Sequence, residues 1–268
     1  MLIIISKIVD NIDKRKNYVE KRGEISMKWL KQAILVIFML STVFGSCPQS
    51  MLITRGYSNI YPQMTIVDKV YKSKNDYLQI DVTIPQIKNL PNEDKEKNIN
   101  NLITTWTEEW INDAKYIADE YFKNGTPPLN PYQLNAKYKV TNLKKVISLY
   151  IDYYQYTGGA HGVTTRKSYN IDETTGDILT LKDLFNSEYN YKDKIDSNIK
   201  NEINKNSDIY FTGKEGFNGI DEKTKFYIED GNLVIYYGQY EIAPYATGIP
   251  EFRMPINMFE ENFKYGKI

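Results

Sequence analysis

The chain has 268 residues, enough for one large domain or two small ones with a real interior. Its 34 Lys and Arg balance its 34 Asp and Glu, so no net positive charge favours a nucleic-acid partner. The single cysteine, Cys47, excludes an internal disulfide and a cysteine metal centre, and the single histidine, His161, argues against a catalytic zinc.

The N-terminal quarter reads as an address. Residues 1–26 are polar after Met1-Leu-Ile-Ile-Ile and too few to fold alone. They are expected to be either a stretch upstream of a true start at Met27 or a short cytoplasmic tail. Residues 27–47 have the layout of a signal peptide: lysines at 28 and 31, then an apolar run from Ala33 to Phe44. That run is too short to span a bilayer as a helix, which takes roughly 20 apolar residues. Val43-Phe-Gly-Ser-Cys47 resembles a bacterial lipobox, with Phe44 departing from the usual small aliphatic residue. Lipidation at Cys47 is therefore expected, with a cleaved secreted form and an uncleaved anchor as the alternatives. Residues 48–62 read as a spacer.

The exported part alternates strands and helices. Thr65–Tyr71 and Tyr77–Ile84 alternate apolar and polar residues around a Ser73–Asp76 turn, and Pro85 and Pro91 are expected to close this hairpin. Asn92 is a candidate N-cap, followed by Glu93, Asp94 and Glu96 in a first helical turn. The helix presents Ile99, Leu102, Ile103, Trp106, Trp110, Ala114, Ile117, Tyr121 and Phe122 on one face and ends near Gly125. Strands are predicted over Leu134–Val140, Val146–Tyr156 and Val163–Ile171. Leu181–Phe185 reads as a short helix and Tyr191–Asn204 as a longer one with Ile195, Ile199 and Ile203 on one side. Lys225–Ile228, Leu233–Tyr237 and Phe252–Pro255 complete the strands. This order predicts an α+β fold, with antiparallel sheets each packed with helices in two consecutive small subdomains, 63–156 and 157–262.

Two stretches carry a family resemblance. The first is Tyr153-Tyr-Gln-Tyr-Thr-Gly-Gly-Ala-His-Gly162 with Tyr169-Asn-Ile-Asp and Gly176–Phe185. The second is Leu233–Tyr237 with Glu241-Ile-Ala-Pro-Tyr-Ala-Thr-Gly248 and Phe252–Pro255. Together they resemble the paired extracellular domains of RsiV-like membrane anti-sigma factors. The first also resembles the non-catalytic N-terminal region of PdaC-like peptidoglycan deacetylases. The resemblance implies an ectodomain that binds lysozyme. The cytoplasmic sigma-binding part and the deacetylase domain, with its metal ligands, have no counterpart in this sequence.

The Gly158-Gly159-Ala160-His161-Gly162 turn is the most conspicuous local feature. Its plain reading is a strand connection in which glycines supply positive φ and His161 bonds a neighbouring loop. Its functional reading is a binding edge made by Tyr156, Gly158, Gly159, His161 and Arg166 with Tyr240 and Tyr245. No Gly-Lys-Ser/Thr follows, so it is not a phosphate loop. Ser148 and Asp152 lie near His161 but share a strand face with Tyr150 and Tyr154, and no nucleophile elbow is present. The expectation is a binding or sensing module without cofactor or metal. Its partner would be a cell-wall glycan or a lysozyme-like protein, on the outer membrane face or secreted. A peptidoglycan hydrolase or deacetylase accessory using His161 as acid/base, and a structural envelope lipoprotein, are the alternatives.

Overall fold

The structure, a computed structural model, describes residues 63–266 except 124 and 126–129. The apolar run of residues 33–44, Cys47, the choice between Met1 and Met27 and the 48–62 spacer all lie outside the described residues. Among the described residues, no helix is long and apolar enough to cross a membrane.

Strands β1 (Thr65–Lys74) and β2 (Leu78–Lys88) form the predicted hairpin, turned by Asn75, whose side chain accepts from the Tyr77 and Leu78 amides. Helix α1 (Glu93–Phe122) follows, then β3 (Tyr132–Lys144), β4 (Val146–Tyr156) and β5 (Val163–Asp172). These five strands make one sheet in the order β1-β2-β3-β4-β5, antiparallel except for the β2–β3 pair. That pair is parallel because α1 carries the chain back across one face of the sheet, a crossover parallel neighbours require. Helix α2 (Tyr191–Lys205) precedes β6 (Lys225–Glu229), β7 (Asn232–Tyr236) and β8 (Glu251–Pro255), an antiparallel sheet of three. The α+β class holds, each sheet being packed by a helix, but the large sheet is mixed and only the small one is wholly antiparallel.

Pro85 does not close the hairpin; it sits inside β2 opposite Asp68. The parallel pairing with β3 ends at Val82, so β2 has lost its second neighbour by that point. Ile87, two residues on, turns its N–H away from β1 to Asn100 of α1, so Pro85 directs its nitrogen to the same unpaired side and forfeits no ladder bond. Asn100 is buried and fills the missing place: its amide accepts from Ile87 N at 2.8 Å and donates to Ile87 O at 2.7 Å.

Asn92 caps α1 as expected, accepting from the Lys95 amide. The buried line of the helix is Ile99, Asn100, Ile103, Thr107, Ile111, Ala114 and Ala118. Leu102 and Tyr121, expected on that face, are 51% and 72% exposed. Steps of mainly four residues set the contact line, and both positions fall to its side. Trp106 and Trp110 straddle the buried Tyr153 of β4, with ring centroids 4.3 and 5.1 Å away in edge-to-face contact.

Four layers result: α1, the large sheet, the small sheet, α2. The first core lies between α1 and the large sheet, and the second lies between the small sheet and α2, where Ile195 and Ile199 meet Leu233, Ile235, Phe252 and Met254. The two sheets meet face to face through Tyr150, Tyr227, Val234 and Tyr236. The expected subdomain division after Tyr156 falls inside the β4–β5 hairpin, and the chain leaves the large sheet only at Asp172. Residues Leu181–Leu184 form a 3₁₀ turn with a Thr180–Asp183 capping box.

Lys139 of β3 and Arg253 of β8 both pair with the buried Glu229 of β6, at 2.6 and 2.5 Å. Burial works against the Glu229 charge, but the two cations outweigh it and hold the carboxyl below its ordinary 4.5. A depressed carboxyl stabilises the fold above its unfolded value, and that contribution is lost as pH falls through the folded one. Urea midpoints measured across the acid range should therefore fall below pH 4.5 in the wild type and fall less steeply in Glu229→Gln. Asn100→Ala should lower stability by about 2–5 kcal/mol in the same assay, because both polar groups of Ile87 lose their partner inside the core.

Candidate functional site

The β4–β5 connection packs against the loop after β7. Gly158 and Gly159 have φ of 86° and 99°, the left-handed region the turn requires. Tyr156 donates its hydroxyl to the Gly159 carbonyl at 3.1 Å and pins the turn. Gly162 lies close under the Tyr154 ring: a Cβ there would come within 2.5 Å of its outer end, which would have to move aside. These constraints set His161 on the surface, where its ring stacks on Tyr245 at 3.8 Å and 17°. Tyr240 joins them, 5.7 Å from Tyr245, with its hydroxyl 3.5 Å from His161 Nε2. Tyr240 has φ of 65°, an uncommon conformation for a bulky side chain and one that places strain where the exposed rings meet. His161 thus forms one surface cluster with Tyr240 and Tyr245, which lie 79 or more residues further along the chain.

Arg166 does not belong to that edge. Its side chain is 9% exposed and lies between the sheets. It forms a bidentate pair with Asp152 at 2.7 and 2.8 Å and binds Glu251 of β8. Its guanidinium stacks 3.8 Å from the Tyr150 ring centroid. Burial opposes its charge, yet Asp152, Tyr150 and Glu251 outweigh that and raise its pKa further. The strand alternation that exposes Thr165 turns Arg166 inward. Ser148 is likewise buried: its hydroxyl donates to Asn170 and accepts from Ile228 N, and Asn170 donates to Phe226 O. Those bonds satisfy the outer edge of β6.

A groove of about 560 Å³ opens beside the aromatic cluster. It follows the free edge of β5, with Leu102 and Trp106 of α1 on one side and Thr224, Lys225 and Phe226 on the other. Gln239 stands at the cluster end and accepts from the Thr164 amide at 2.7 Å. The hydroxyl of Tyr236 accepts from Ser168 N and reaches Arg166 O at 3.3 Å. Burial raises the Tyr236 pKa to about 12, which keeps it protonated as a donor. Lys167 crosses the groove with its ammonium 4.3 Å from the Trp106 ring centroid. Sequence reasoning placed Trp106 in the core and passed over Lys167, Tyr236 and Gln239. The one available signal was a lysine between two residues whose side chains point to the other face. Among the described residues, no three His, Cys, Asp or Glu side chains are grouped to hold a metal.

The family model described as Deacetylase PdaC matches residues 71–164, and one described as a protein of unknown function, DUF3298, matches residues 182–257. The anti-sigma-V factor RsiV of Bacillus subtilis is 25% identical over 94% of this chain and 87% of its own length. The chain carries an RsiV-like and PdaC-like domain pair. The peptidoglycan-N-acetylmuramic acid deacetylase PdaC of Bacillus subtilis is 30% identical over 41% of this chain, but only a quarter of that enzyme's length is spanned. Two solved structures share the fold, each over 75% of this chain. A DUF3298 family member from Bacteroides fragilis has a TM-score of 0.52 at 20% identity over 92% of its own chain. One from Pseudomonas aeruginosa has 0.51 at 15% over 94% of its chain. The stretch between the two matched regions, residues 165–181, holds most of β5 and the Thr180 turn.

Because Arg166 links the halves of the pair, Arg166→Ala should cost about 3–5 kcal/mol by leaving Asp152 and Glu251 without their shared cation. Arg166→Lys should recover only part of this in chemical denaturation, since an ammonium cannot make the bidentate pair and the stack together.

Proposed function

We propose that this chain is an extracytoplasmic, membrane-tethered recognition module whose ligand is a muramidase or a cell-wall glycan, and that it binds rather than catalyses. The similarity to RsiV along nearly the whole chain carries this reading. One relative is an anti-sigma factor and the other acts on peptidoglycan, which supports a role at the cell envelope. Tethering would come from lipidated Cys47 or from the apolar run before it, read as a signal sequence.

The contact surface would be the cluster of His161, Tyr240 and Tyr245 with the turn that Tyr156, Gly158 and Gly159 hold. Rigid aromatic side chains on short constrained loops supply contact area at low entropic cost. The surroundings of His161 favour binding over acid/base work. Its Nδ1 lies 3.2 Å from the Gly162 carbonyl and its Nε2 faces Tyr240, so both nitrogens are turned to the chain itself.

An isotherm of the full-length chain in detergent with lysozyme tests this. Saturable binding is expected, weakened about tenfold or more by Tyr245→Ala, the loss of one anchor ring. No binding of either lysozyme or soluble peptidoglycan fragments would remove the proposal. Release of muropeptides by the wild type, lost in His161→Ala, would replace binding with hydrolysis.

A further inference from the structure

The groove beside β5 has chemistry that the surface cluster does not. Among the described residues, Lys167 has no hydrogen-bond or ion-pair partner, whereas the neighbouring cations Arg166 and Lys225 are matched by Asp152 and Glu251, and by Glu241, respectively. Its ammonium is half-buried against an indole. Burial, and to a lesser degree the nearby Lys225 charge, lower its pKa, and an anion paired with the ammonium would offset both. One ammonium neutralises a monoanion such as a carboxylate, whereas a phosphate dianion would keep an unpaired charge in the partly desolvated groove.

The space exceeds what a bare anion fills. One wall is apolar, made by Leu102 and Trp106, and elsewhere the lining offers the Thr165 hydroxyl and the amide nitrogen of Gln239. An extended peptide adding to β5 is disfavoured. Such a strand needs the outward backbone groups of β5, and four of these are already taken: Thr164 N by Gln239, Ser168 N and Arg166 O by Tyr236, Asn170 O by Leu179 N. A ligand recognised through side chains, with an apolar face and hydroxyl edges, fits what remains.

We propose that this groove binds a saccharide carrying a carboxylate, with the anion at the Lys167 ammonium and the sugar ring against Leu102 and Trp106. The envelope reading above enters only in the choice of sugar for the test; the site is separate from the surface cluster, and the two fail separately.

The full-length chain in detergent is titrated with N-acetylmuramic acid and, in parallel, with N-acetylglucosamine, which has the same ring without the lactyl carboxylate. Calorimetry and tryptophan fluorescence report binding. N-acetylmuramic acid is expected to bind about tenfold more tightly, the scale of one charge-assisted contact. Lys167→Gln should abolish that preference while leaving N-acetylglucosamine binding unchanged, and Lys167→Arg should keep it. Thermal melting of each variant checks that the fold is intact, and lysozyme binding should be the same in Lys167→Gln as in the wild type. Equal affinity for the two sugars, no binding of either, or a preference that survives Lys167→Gln overturns the proposal.

Discussion

The two sheets of this protein are joined by polar groups that have almost no other use. Arg166 reaches from β5 between the layers, pairs with Asp152 on its own sheet and with Glu251 on the other, and lies flat on Tyr150. Beside it, Ser148 and Asn170 hand their hydrogen bonds to the outer edge of β6. An open strand edge is a liability unless it is paired or covered, and here one sheet covers the edge of the other with side chains. The desolvation cost of such a seam is tolerable only because each donor meets an acceptor, so the arrangement admits one register of sheet on sheet.

The surface features follow from that register. β5 ends the large sheet, and the small sheet sits over β3–β5 without extending the ladder, so a trough is left along the β5 edge. The turn before β5 and the loop after β7 are brought together at one end of this trough, which is where the His161, Tyr240 and Tyr245 rings meet. Gln239 belongs to both places: it closes the Thr164 amide and precedes the strained Tyr240. Cluster and groove therefore adjoin, although their chemistry differs, one being an exposed aromatic knob and the other a cleft in which the Lys167 ammonium lies against Trp106.

Much of the local architecture is legible in the sequence. Asn92 with three acids after it marks a helix start, and the Asn92 cap is made. The alternation over Val146–Tyr156 gives that strand its observed limits. The errors share a cause. Pro85 looked like a terminator because a proline normally forfeits a ladder bond, but a strand with one open side loses nothing. Leu102 and Tyr121 looked buried because an apolar stripe drawn at 3.6 residues per turn is wider than the contact a single sheet makes with a long helix. Arg166 looked like a surface contact because arginine is usually exposed, and nothing local shows that Asp152 and Glu251 wait for it on two sheets.

By itself the sequence determined periodicities, caps, turns, the absence of disulfide and cysteine-metal chemistry, and the aromatic character of the loops around His161. These are properties of a few neighbouring residues and of backbone sterics. Only the tertiary structure decided that β2 and β3 run parallel, that Asn100 substitutes for a missing strand, that Arg166 is interior, and that Lys167 lines a groove with no ion-pair partner among the described residues. Each of these depends on residues tens of positions apart meeting across layers, and burial, which sets the energy of a polar group, is a property of that meeting and not of the residue.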